Sequence, residues 1–347
     1  MESSKENRML LRQLSNLDGA AGAEHAVRDF IRAHAERYVD TADVDALGNL
    51  ICLKKGKKKR PVIMLVAHMD EVGLMITAKN KDGTLRFSRI GGINEQVLLA
   101  QAVRIGEKKI PGVIGVKPIH ILDETEAKKM PKVEELYIDM GATSEGELKD
   151  IAIGDYAYFD TEYEKISASA VMGKAFDDRL GCALMLEMAQ KEFNFPIYFV
   201  FTTQEEIGLR GAQVIGNRIN PDYAIILEGT GAGDSPSERD IALTPILGNG
   251  PTLTVKDRSM IADPVFLKRI IALAKRKHIP YQIKQPGIGG TDAGRIQISQ
   301  RGVRCAVIAV PARYIHSPAS LMSLKDYQNA RRLALVLLKD LGRTEGK

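Results

Sequence analysis

Residues 179–229 read RLGCALMLEMAQKEFNFPIYFVFTTQEEIGLRGAQVIGNRINPDYAIILEG, and they set the fold class. The spacing of apolar residues predicts a helix over 179–191, a strand over 197–203, a helix over 209–217 and a strand over 223–227. Strand alternating with helix means an α/β fold with a largely parallel sheet. The same rhythm continues downstream. A hairpin-like stretch over 240–256 precedes a helix over 264–277, with Asp263 as its N-cap and Pro264 at its first position. A strand over 281–284, a helix over 292–299, a strand over 303–310 and a last helix over 324–341 follow.

Upstream, residues 7–37 predict one helix, and strands follow over 41–46, 49–55 and 62–68. Residues 72–165 change character. They are short β-like runs broken by Gly91-Gly92, Pro111-Gly112, Pro118, Pro131, Gly141 and Gly154, with no long amphipathic helix. Short strands at close turn spacing predict a small barrel or sandwich inserted into the α/β unit. The expected division is 1–71 and 166–347 for the α/β domain and 72–165 for the insert.

The chain has 347 residues, 44% of them hydrophobic, which suits about two domains and excludes disorder. No run is long and apolar enough for a membrane span. The opening MESSKENRMLLRQL has mixed charge and lacks the apolar core of a secretory signal. Cys52, Cys182 and Cys305 are widely spaced in apolar surroundings, which predicts reduced, buried thiols in a cytoplasmic protein. The net charge is +5, and much of it sits in Lys54-Lys55-Gly56-Lys57-Lys58-Lys59-Arg60. No aromatic residue interleaves with these lysines for base stacking, so they read as a solvated hairpin turn rather than a nucleic-acid surface.

Acidic and imidazole side chains recur at or just past strand ends. In open α/β sheets such positions converge on one crevice. The strand ending at Val66 delivers His68, and Asp70, two residues on, points to the same side in extended chain. A carboxylate there can fix an imidazole's tautomer, as around a metal ligand. Asp177 and Asp178 open a helix, where acids suit the dipole and where one carboxylate can also bridge two cations. Glu205 and Glu206 follow a strongly apolar strand. Burying two like charges side by side costs several kcal/mol unless a cation or proton compensates. One of the pair can bind metal while the other moves a proton. Glu228 follows the next strand, and His316 lies in the loop after strand 303–310.

Together, two histidines and three carboxylates past apolar strands match a dinuclear hydrolytic centre with N and O ligands. Two such ions lie about 3.5–4 Å apart and share a bridging carboxylate and water. Zn²⁺ suits this donor set best, with Co²⁺ or Mn²⁺ as substitutes. Competing motifs fail. Gly229–Gly233 and Gly287–Gly290 do not fit GxGxxG opening a helix, and neither GxxxxGK[ST] nor GxSxG occurs. A glycosidase would need two carboxylates flanking a sugar bond instead.

The ordered segments HMDEVG (68–73), KAFDDRLG (174–181), TTQEEIGLRGA (202–212), LEGTGAGDSP (227–236), GGTDAG (289–294) and VPARYIHSP (310–318) resemble the TET-type dinuclear-metal aminopeptidases. This is the glutamyl- and deblocking-aminopeptidase family, some members of which carry endoglucanase-M or FrvX labels. The resemblance runs over nearly the whole chain. It implies a phosphorylase/hydrolase-like mixed sheet sandwiched by helices, with a PDZ-like β-rich insert that mediates dimerisation. It implies that His68, Asp177 and Glu228 bind one metal ion, that Asp177, Glu206 and His316 bind the other, and that Asp177 bridges. Glu205 would be the general base and acid, and Asp70 would orient His68. Dimers would assemble into a hollow tetrahedral dodecamer acting on peptides.

Lys256 and Arg258 follow a predicted strand, and either would favour an acidic first residue if it faced the substrate pocket; the alternative is a surface turn. Two other readings remain open: a different dinuclear amide hydrolase (a carboxypeptidase or deacylase), and a catalytically silent scaffold of the same fold. Neither nucleic acid nor membrane is an expected partner.

Overall fold

The computed structural model describes residues 2–344 except 235–244, 285 and 288. Apolar runs form the middle of the sheet. The strand Ile63–His68 is buried along its whole length. It pairs in parallel with Ile197–Thr202 on one side and with Tyr223–Gly231 on the other. Arg304–Arg313 extends the parallel set beside Tyr223–Gly231. A strand covered on both faces needs apolar side chains at odd and even positions alike, so these segments read as unbroken hydrophobic runs. Ile63, Leu65 and Ala67 enter one core, while Met64 and Val66 enter the other.

Helices Phe176–Ala189, Pro264–Arg276 and Leu324–Thr344 fill the first core. Arg210–Arg218 and Ala293–Gln297 cover the opposite face through Ala212, Ile215, Ala293 and Ile296. Asp263 caps its helix as expected, accepting a hydrogen bond from the Phe266 amide at 2.7 Å. Each fully buried Leu or Ile side chain contributes roughly 1.5–3 kcal/mol. The rim strands run antiparallel. Leu50–Lys54 lies against Ile197–Thr202, with Thr41–Val44 beyond it. Ser320–Ser323, Ala170–Gly173 and Glu164–Lys165 form the other edge. The sheet is therefore mixed, with its parallel strands at the centre.

Three local expectations are corrected. The helix expected over 7–37 is two helices, Glu2–Asn16 and His25–Ala35. Between them the chain passes so close to the second helix that a Cβ on Gly19 would lie 2.7 Å from Val27 Cγ2, and Ala20 bridges to Glu71. The basic run after Leu50–Lys54 is no hairpin turn, because Ile197–Thr202 lies between the strands it joins. Thr252–Thr254 belongs to no hairpin either. It pairs with Arg304–Arg313 and Gln282–Lys284; residues 240–244 of that expected hairpin lie outside the described ones.

The insert is a barrel. Gly73–Lys79, Leu85–Ile90, Tyr137–Asp139, Ile110–Gly115, Ala102–Ile105 and Tyr156–Phe159 close in that order around Leu74, Phe87, Ile105 and Ile138. Closure leaves its strands without open edges. The barrel packs on the α/β unit where Ile90, Met75, Tyr156 and Tyr158 meet Ala20 and Ala21. Cys52, Cys182 and Cys305 are free and buried, as expected. Among the described residues no helix is long and apolar enough to cross a membrane.

Candidate metal centre

The carboxyl ends of the central parallel strands deliver the polar groups to one place. His68 ends its strand opposite Thr202 in register, and Glu228 lies within Tyr223–Gly231. His68 Nε2 is 3.1 Å from Glu228 Oε1 and 3.3 Å from Asp177 Oδ1. His316 Nε2 is 3.2 Å from Glu206 Oε1 and 3.5 Å from Asp177 Oδ2. Asp177 thus presents one oxygen to each histidine. The adjacent Asp178 is differently engaged: its oxygens accept the amides of His68 at 3.2 Å and Gly181 at 3.0 Å.

Close backbone approach makes this possible. A Cβ on Gly229 would lie 2.9 Å from Asp177 Cα, so the non-helical first turn of Phe176–Ala189, which bears Asp177, can rest on the Glu228 strand only over a glycine. The other ring nitrogens are also held. His68 Nδ1 lies 3.1 Å from the Asp70 carbonyl oxygen and 3.5 Å from Asp70 Oδ1. His316 Nδ1 lies 3.1 Å from the carbonyl oxygen of Gly92, a residue of the insert. The Asp70 carboxylate accepts the amides of Glu205 and Glu206, each at 3.0 Å.

The donor set fits a pair of divalent cations. Ligand atoms about 2.0–2.1 Å from a tetrahedral Zn²⁺ are about 3.3 Å from one another, and the four distances between histidine nitrogens and carboxylate oxygens span 3.1–3.5 Å. Glu228 Oε2 is buried with no hydrogen-bond partner. Burial pushes the Glu228 carboxyl up to about 8 and raises those of Glu205 and Glu206. Burial also opposes charge on the histidines, yet Asp177 and Glu206 hold His316 up at about 11. Asp177, Asp70 and Glu228 likewise keep His68 well above its ordinary value despite burial. Burial would raise the Asp177 carboxyl, but His316 and His68 outweigh it and hold it below the carboxylate range. The cluster is short of positive charge, which imidazolium protons or metal ions would supply.

A cavity of about 210 Å³ opens beside the cluster, bordered by Glu205, His316, Thr230, Lys284, Gly290 and Thr291 among others. Lys256 and Arg258 are exposed and do not border it. Lys284, from Gln282–Lys284, does. No sequence signal marks this lysine; only the pairing of its strand with Thr252–Thr254 places it there. Gly92 was equally silent, since it acts through a carbonyl that every residue has. Of the glycine-rich runs, Gly229 and Gly231 lie in the strand bearing Glu228, and Gly289 and Gly290 line the cavity.

Known proteins share this fold. A putative aminopeptidase of Acetivibrio thermocellus is 39% identical over 327 residues, covering 93% of this chain and 96% of that protein. The crystal structure of a TET aminopeptidase from a marine-sediment thaumarchaeon superposes with a TM-score of 0.94 at 38% identity, covering 97% of each chain. The TET1 peptidase of Pyrococcus horikoshii, described as assembling into a tetrahedron or a large octahedral shell, superposes with a TM-score of 0.84 at 30% identity, covering 96% of this chain and 99% of that one. The profile of the M42 glutamyl aminopeptidases matches residues 48–333. With the same fold over nearly the full length and the family profile across most of it, the chain belongs to the M42 aminopeptidase family.

Proposed function

We propose that the protein is a metal-dependent aminopeptidase that removes N-terminal residues from peptides. The observation carrying this reading is Asp177 standing between two imidazoles, each of which has a second carboxylate, Glu228 or Glu206, within 3.2 Å. His68, Asp177 and Glu228 would hold one divalent ion, and Asp177, Glu206 and His316 the other, Zn²⁺ before Co²⁺ or Mn²⁺. When bound, the ions polarise the scissile carbonyl and make water easier to deprotonate. Glu205 borders the cavity beside them. It accepts a proton from the attacking water and passes it to the leaving amine. Asp70 orients His68 and fixes the backbone of both glutamates. The crowd of carboxylates suits the positive α-amino group of a peptide.

The cavity would take the first side chain, and Lys284 would favour an acidic one through a charge-assisted hydrogen bond. Self-association is proposed through the barrel, as dimers building a tetrahedral dodecamer. Val113, Ile121, Met130 and Ile153 of the insert leave apolar surface exposed, in keeping with burial against a second copy. The three buried thiols suit a reducing, cytoplasmic compartment.

The test is hydrolysis of aminoacyl p-nitroanilides and of their N-acetylated forms, before and after chelation. Free-amine substrates should be cleaved, acetylated ones spared, and chelation should stop the reaction. Equal release of p-nitroaniline from both would instead mark an amide hydrolase with no need of the free amine; a carboxypeptidase would act only on a peptide with a free C-terminal carboxylate, a deacylase would release acetate from the acetylated form, and none of these reactions with metal bound would mark a silent scaffold.

A further inference from the structure

Four consecutive backbone amides lead into and through the glutamate pair, and each donates to a buried side chain. Thr203 donates to Asn49 Oδ1, Gln204 to Glu24 Oε1, Glu205 to Asp70 Oδ1 and Glu206 to Asp70 Oδ2, all at 3.0 Å. Gln204 has φ of 55°, a left-handed conformation disfavoured for a residue with a side chain, so the turn needs external support. Asp70 and Asn49 adjoin sheet strands. Glu24 does not.

Glu24 is the N-cap of the helix His25–Ala35, a position from which a short polar side chain commonly accepts from the helix's first turn. It makes no such bond. Only 4% exposed, it reaches instead to Gln204, 180 residues along the chain. The same oxygen accepts the Gly22 amide at 2.9 Å, and the Tyr156 hydroxyl from the barrel donates to the neighbouring Ala21 carbonyl at 3.3 Å. A side chain spent neither on its helix nor on solvent therefore joins the barrel-facing loop to the residue before Glu205.

We propose that Glu24 is a positioning residue: it fixes the Gln204 amide and so aims the Glu205 carboxylate at its proton-transfer partner. This rests on the assignment of Glu205 as the general base. Misplacing a catalytic group by about 1 Å can cost 100-fold in rate. Replacing Glu24 with Leu removes the acceptor; replacing it with Gln keeps a carbonyl oxygen in the same place.

The experiment compares Glu24→Leu, Glu24→Ala and Glu24→Gln with the wild type for kcat, KM, bound metal and amide hydrogen exchange in residues 203–206. Loss of acceptor should lower kcat about 10- to 100-fold, leave KM and metal content near wild type, and speed exchange at 203–206. Glu24→Gln should keep kcat within about threefold. The proposal is overturned if Ala and Leu keep full kcat, if Gln is as impaired as they are, or if kcat falls only together with metal content. Hydrogen exchange decides without turnover. A wild type silent on every substrate would refute the function, while unchanged exchange at 203–206 in the Ala variant would refute the role of Glu24.

Discussion

His68 Nε2 and Glu228 Oε1 stand 3.1 Å apart on neighbouring parallel strands, each two residues past the last paired positions, Val66 and Ile226. Such rigid placement means that truncating either should empty one ion position without dissolving the fold. Glu228→Ala should bind one equivalent of metal per chain and the wild type two, as read by elemental analysis after dialysis. Two retained equivalents would remove Glu228 from the ligand set.

Glu205 differs from its neighbours in having no histidine nitrogen against its carboxylate in a short ion pair, unlike Glu206. Glu205→Gln should therefore keep both ions and lose about 10²- to 10⁴-fold in kcat, the usual contribution of a general base. Steady-state kinetics alongside metal analysis checks it, and near-normal turnover would return the role to another group.

Protons and cations compete for the same cluster. His316 is held up at about 11, so in metal-free protein its contribution to stability is full below its ordinary 6.5 and is lost as pH rises through 11. Glu228, raised to about 8, acts in the same direction: folding favours its protonated form, so ionisation above its ordinary 4.5 and up to 8 weakens the fold. Bound metal would replace those protons and remove the dependence. Thermal unfolding of chelated and metal-loaded protein at pH 6, 8 and 9.5 should show a gap that widens with pH. A constant gap would mean the histidines are not protonated in the chelated form.

Lys284 is the proposed contact for an acidic first substrate residue. A hydrogen bond between charged groups is worth about 1.5–3 kcal/mol, so Lys284→Met should lower kcat/KM on a glutamyl anilide by about 10- to 100-fold and spare a leucyl one. Lys256→Ala and Arg258→Ala should leave the ratio unchanged, because neither side chain borders the cavity. A wild type that cleaves both anilides equally would retire the acidic preference altogether.

Most of the centre was legible because its residues announce themselves locally. His68, Glu205 and Glu228 sit in or just past apolar strands, and a charged group there has few places to go except a shared crevice. Choosing Asp177 over Asp178 was different. The two are equivalent by spacing, and only the resemblance separated them; in the structure Asp177 stands between the two imidazoles, while Asp178 accepts the amides of His68 and Gly181 and also lies close to His68 and Glu228. The cavity beside the cluster was not legible, since Lys284 reaches it through lateral pairing of a three-residue strand. Strand order was misread at the basic run for a similar reason: sequence neighbours suggest a hairpin, whereas the intervening strand comes from much later in the chain. The break in the first helix was hidden because both halves carry the same periodicity.

That interposed strand also constrains how the molecule is made. Leu50–Lys54 and Ile63–His68 emerge from the ribosome together but must keep a slot open between them, which Ile197–Thr202 fills after the whole barrel has been synthesised. Until then both bare edges are free to pair wrongly, with each other or with another nascent chain. The barrel, whose strands all lie within residues 73–159, can close while the sheet waits. Assembly of the α/β unit is thus a late, long-range event, and slow folding with a need for shielding by chaperones is the expected cost of this strand order.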